Sequence, residues 1–141
     1  MKTPWHFWLI AILSLLWNAM GAFDYSATQL RWTPYMSNFT PEQLDYFNTF
    51  PTWVVACWAI AVWFAVAGSL LLVFRSRLAV LLFWISLFCI VATAVHNFLL
   101  ADVSMSDLMG PEAAIFSAAI LLVGAFLAVY ARRMAVRGVL R

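Results

Sequence analysis

Four long stretches of this chain carry no Asp, Glu, Lys or Arg: residues 5–23, 52–74, 78–100 and 113–131. A helix needs about 20 predominantly apolar residues to cross the hydrocarbon core of a bilayer. Each stretch meets that length, and buried helices of a soluble protein are rarely so long or so uniformly apolar. The expected fold is all-α: a polytopic membrane protein forming a four-transmembrane-helix bundle, with residues 1–141 as one domain. Residues 24–51 form the one long outer loop.

The charges orient the bundle. Lys2 precedes the first span, Arg75 and Arg77 lie between the second and third, and Arg132, Arg133, Arg137 and Arg141 follow the fourth. With an even number of spans these fall on one side, and the positive-inside rule makes that side cytoplasmic. Both termini are then expected to be cytoplasmic. Only Arg31 falls outside, together with Asp24, Glu42, Asp45, Asp102, Asp107 and Glu112. Trp5 and Trp8 suit the inner aromatic belt, and Trp32, Tyr35 and Trp53 the outer one. Residues 5–23 have features of a signal peptide, but the apolar stretch is long and carries Trp17 and Asn18 late, so it reads as a retained span.

Composition removes other classes. The chain is 66% hydrophobic and 10% charged, against roughly 45–50% and about 25% in soluble domains. Its basic residues lie at span ends and not on one face, which excludes nucleic acid as a partner. Cys57 and Cys89 both lie inside apolar runs. Counted along their spans they fall at different depths, which predicts two free, buried thiols.

The outer loop has its own folding signals. Thr40-Pro41-Glu42-Gln43 combines a capping residue, a proline at the first helical position and a capping-box glutamine. Leu44 and Phe47 add an apolar edge. The segment predicts a short amphipathic helix at the outer interface, acting as a structural seal or a lid. Within the spans, Cys57, Ala61, Ala65 and Ser69 recur at four-residue spacing, and Ala113, Ser117, Gly124 and Ala128 share a face. Small residues so placed let helices approach closely in lipid. The tight Arg75-Ser76-Arg77 turn makes spans two and three antiparallel neighbours.

Polar residues inside a span are costly and mark candidate sites. Asn18 lies in the first span, and His96 and Asn97 in the third. Counting along the runs places all three in the outer third. Asp24, Tyr25 and Asp102 follow at the membrane edge. The expected site is an outward-facing polar cup of Asn18, Asp24, Tyr25, His96, Asn97 and Asp102, walled by Trp17, Phe23, Trp58 and Phe98. The competing expectation is that Asn18 and Asn97 only bond helices together. The spans carry no carboxylate for proton coupling, no paired-cysteine or two-histidine motif, no phosphate loop and no nucleophile–base set. No catalytic residue, metal site or cofactor is expected.

Residues 16–25, Leu-Trp-Asn-Ala-Met-Gly-Ala-Phe-Asp-Tyr, are distinctive, as are Phe39-Thr40-Pro41-Glu42-Gln43-Leu44, Tyr46-Phe47 and Pro51-Thr52-Trp53. With Tyr130-Ala131-Arg132 and Gly138-Val139-Leu140, they resemble a family of small bacterial inner-membrane proteins of about this length. Its members are labelled sugar transporter or hypothetical membrane protein. The family's Tyr-Asn-Phe stretch in span three stands here as His96-Asn97-Phe98. The resemblance implies a signature around Asn18, Asp24 and Asn97 without assigning them roles. The leading functional expectation is binding or passage of a small neutral or lipid-like molecule. The second is an accessory subunit of a larger membrane complex, or a homodimer. A membrane-surface enzyme comes last.

Overall fold

In the computed structural model, which describes residues 3–101 and 105–141, the chain is a four-helix bundle. The four long helices are α1 (Trp5–Gln29), α4 (Thr52–Val73), α5 (Leu78–Val95) and α7 (Pro111–Val136). α5 runs directly into one π-helical turn, His96–Leu100. Three short helices lie in the connections: α2 (Thr33–Met36), α3 (Pro41–Asn48) and α6 (Met105–Met109). Large apolar side chains point away from the bundle along its length, among them Leu16 (60% exposed), Phe88 (74%) and Leu122 (72%). Only lipid makes that exposure favourable, because hydrocarbon solvates such side chains as well as a protein core does. The chain is a small integral membrane protein with four spanning helices.

α4 packs between α1 and α5, and α5 between α4 and α7. The small-residue stripe on α4 makes these contacts: Ala61, Ala65 and Ser69 are buried. Ser86 on α5 donates to the Ala61 carbonyl at 2.6 Å, a bond between helices and not along one. Gly68 allows the closest approach. A Cβ there would lie 3.0 Å from the Phe83 ring. Of the small face on α7, Gly124 and Ala128 pack inward, whereas Ala113 and Ser117 are only half-buried. α1 and α7 close the ring through side chains. His6 Nδ1 lies 2.9 Å from the Tyr130 hydroxyl, Phe7 stacks on Tyr130, and Trp17 meets Phe116.

The core is concentrated at one end. Phe7, Ala11, Leu72, Ala79, Phe83, Leu127, Ala128, Ala131, Met134, Val139 and Leu140 form one buried cluster. These residues lie toward the Arg75–Arg77 turn and the α7 C-terminus, hereafter the Arg-rich end. The opposite, acidic end is closed differently, by the connection between α1 and α4.

Three expectations change. α1 does not stop at residue 23 but continues to Gln29, because Asp24–Gln29 are helix-compatible and Thr28 and Asp24 bond locally. α7 likewise extends to Val136. Cys57 and Cys89 are free as expected, but they do not lie at different depths. The register that brings Ser86 to Ala61 also sets them side by side. Lys2 and Asp102 lie outside the described residues.

Candidate functional site

The connection at the acidic end is a folded cap. Thr40 and Gln43 form the expected capping box: the Thr40 hydroxyl accepts from the Gln43 N–H at 3.2 Å, and the Gln43 side chain accepts from the Thr40 N–H at 3.0 Å. These bonds start α3 where the sequence places it. α2 forms at the turn-like segment Arg31-Trp32-Thr33-Pro34-Tyr35 of the sequence, and its Tyr35 hydroxyl donates to the Asp24 carboxylate. Burial raises the Tyr35 phenol well above its ordinary pKa, and the bond to the Asp24 carboxylate and its negative charge raise it further. The phenol therefore remains protonated and anchors α2 to α1.

Aromatic rings link the cap into one layer. Trp32 and Tyr35 pack edge-on against Phe23, Tyr35 against Phe39, Phe39 against Phe47, and Phe47 against Phe50. Phe50 is the hub. Its ring also meets Tyr46 at 5.2 Å, Trp58 at 6.0 Å and His96 at 5.6 Å. Such edge-to-face pairs are worth about 0.5–1.5 kcal/mol each beyond the area they bury. They explain how a short polar helix holds its position over the bundle.

Beneath this layer lies the polar cluster. His96 and Asn97 are both buried, at 8% exposure. His96 Nδ1 is 3.1 Å from Asn97 Oδ1, and the Tyr46 hydroxyl donates to the same oxygen and to the Asn97 carbonyl, each at 3.3 Å. An amide oxygen only accepts, so the proton of a neutral His96 sits on Nδ1, and Nε2 keeps the lone pair. Phe50 and Trp53 present rings to the imidazole on two sides. Burial raises the Tyr46 phenol above its ordinary range, so it remains a donor. The π-helical turn makes the arrangement possible. Its wider winding is closed by the Ala101 N–H bonding the His96 carbonyl at 2.8 Å, and such turns recur at functional sites.

An open cleft of about 640 Å³ lies against this cluster, lined by Glu42, Asp45, Tyr46, Phe50, His96 and Leu100 among others. Its walls are aromatic on one side, and its rim carries two exposed carboxylates.

The expected single cup is therefore divided. His96 and Asn97 stand together. Tyr25 and Trp58 pack edge-on at 5.0 Å and reach His96 through Phe50. Asp24 pairs with Tyr35. Asn18 is elsewhere: its amide donates to Ser69 Oγ at 2.7 Å and to the Ala65 carbonyl at 3.3 Å. His96 sits at the level of Phe50 and Trp53, so residues 51–65 of α4 separate the two sites by about 20 Å at ~1.5 Å per residue. The cause is the extension of α1, which leaves Asn18 mid-helix. The expected walls Trp17 and Phe23 also turn elsewhere, to Phe116 and to Trp32 and Tyr35. Tyr46 and Phe50 were not among the expected site residues, although Tyr46 belongs to the Tyr46-Phe47 pair of the resemblance. Their signal was present in the aromatic spacing around α3, next to the proline that starts α4.

Among the described residues no group of three or more His, Cys, Asp or Glu is placed to hold a metal ion. No protein-family model, curated protein or solved structure matches the chain.

Proposed function

We propose that this protein binds a small organic ammonium cation in the cleft at its acidic end, and that its Arg-rich end faces the cytoplasm from a bacterial inner membrane. The observation that carries this reading is the Tyr46–Asn97–His96 cluster, built on a π-helical turn and bordering a cleft of about 640 Å³. That volume suits a small ligand. The cation preference rests on chemistry. Glu42 and Asp45 supply negative charge, and Tyr46 and Phe50 supply aromatic rings that attract ammonium groups. Binding is favoured over passage because the core around Phe7, Leu72, Phe83 and Leu140 fills the Arg-rich end.

The test uses the full chain in neutral detergent, with choline and a neutral hexose as probes and thermal unfolding as readout. Choline should raise the midpoint, the hexose should not, and E42Q/D45N should abolish the choline effect. Stabilisation by the hexose alone would overturn the cation assignment. No response to either probe would favour a second reading, that of an accessory subunit. Orientation is checked separately, by reporter fusion at the C-terminus.

A further inference from the structure

The Arg-rich end is tied together by backbone. α4 ends with Arg75 in the left-handed region (φ 60°), where the Ser76 N–H bonds the Leu71 carbonyl at 2.8 Å. Glycine is the residue suited to that conformation, so an arginine there carries a local backbone cost. α7 ends the same way at Gly138 (φ 79°), and the chain then turns back beneath the bundle. Val139 and Leu140 are fully buried. The Arg141 N–H donates to the Arg75 carbonyl at 2.7 Å, and the Arg141 carbonyl accepts from the Arg77 N–H at 3.0 Å. Arg141 is thereby held between Arg75 and Arg77, and Arg137 precedes it by four residues at the C-terminal cap of α7.

The side chains of this cluster are only partly satisfied. Arg75 Nε donates to the Val139 carbonyl at 3.1 Å and an Arg77 terminal nitrogen to the Ala135 carbonyl at 3.2 Å. These acceptors are neutral, so they orient the guanidinium groups without neutralising them. Among the described residues, every Asp and Glu belongs to the other end of the bundle. Beside the arginines, Phe74, Leu78 and Val136 are 75%, 60% and 81% exposed.

We propose that Arg75, Arg77, Arg137 and Arg141 form a binding site for the phosphate of an anionic phospholipid headgroup. Guanidinium forks match phosphate oxygens in geometry and charge. The ends of spanning helices lie at headgroup depth. The exposed apolar neighbours give acyl chains a surface that a free phosphate ion would not use. The site is independent of the cleft at the acidic end.

The experiment titrates the full chain, in neutral detergent, with phosphatidylglycerol, phosphatidylcholine or inorganic phosphate and reads thermal unfolding. Phosphatidylglycerol should stabilise at the lowest concentration. R77Q and R137Q should each raise its half-saturating concentration about fivefold, as expected for one arginine near an anionic headgroup. R31Q, at the opposite end, should leave it unchanged. Arg137 is exposed, so R137Q keeps the test valid if R77Q fails to fold. Equal stabilisation by phosphatidylcholine would overturn the proposal, as would unaltered binding by R137Q. Equal stabilisation by inorganic phosphate would replace the lipid with a free anion and overturn it too.

Discussion

Asn18 and Ser69 form the contact that most directly joins α1 to α4, and a double-mutant cycle isolates its worth. The amide donates to Ser69 Oγ at 2.7 Å and, more weakly, to the Ala65 carbonyl at 3.3 Å. Ser69 itself donates to Ala65 at 2.8 Å. In N18L the serine keeps that intrahelical bond, so no buried donor is orphaned and the loss is confined to the interhelical bonds. Such bonds average about 0.6 kcal/mol and reach about 1.7 in membrane proteins. The short distance places the Asn18–Ser69 bond in the upper half of that range, about 1 kcal/mol. S69A removes the better acceptor and leaves Asn18 only the longer bond to Ala65. The cycle of N18L, S69A and N18L/S69A, measured by reversible unfolding in mixed micelles, should therefore return a coupling of about 1 kcal/mol. Choline binding should not change in any of the three, because the cleft lies a further 20 Å or so along α4. Additivity within about 0.3–0.5 kcal/mol would refute the structural role. Loss of choline binding in N18L would refute the separation of the two polar sites.

Gly68→Ala should destabilise by about 1 kcal/mol net: overpacking against Phe83 costs about 2 kcal/mol, the middle of the usual range, less a helix-propensity gain of about 1. F83L in the same background should recover part of the loss, and a G68A protein as stable as the parent would show that the α4–α5 seam is looser than described. Y46F removes both bonds to Asn97 at a cost of about 1 kcal/mol, and hydrogen exchange at residues 41–48 should rise while the spans stay protected. Tyr35 and Tyr46 both have pKa values raised in the fold, so their contribution to stability is complete below the ordinary tyrosine pKa of 10.0 and is lost as pH rises through the raised values. Alkaline titration followed by phenolate absorbance should show late-ionising tyrosines, and Y35F should remove one of them; an unchanged titration curve would contradict the Asp24–Tyr35 anchor.

Sequence alone determined the solvent of this protein, and with it the architecture. Four uncharged runs must satisfy their backbone groups internally in lipid, which leaves only helices. The capping box at Thr40–Gln43 was legible for the same reason: it is a local arrangement whose bonds join residues three apart. The small residues on α4 were legible as a packing face because helical periodicity is local too.

Depth and register were decided only by tertiary structure. Asn18 and Asn97 occupy similar places when counted along apolar runs, yet α1 continues past its apolar run and carries Asn18 to mid-helix. The antiparallel register of α4 and α5 brings Cys57 to Cys89, which counting had set apart. Helix packing sets such offsets through contacts like Gly68 on Phe83, and these join residues distant in sequence. The layer from Trp32 to His96 likewise depends on where α2 and α3 settle, so Tyr46 and Phe50 become site residues only once the cap has folded over the π-helical turn.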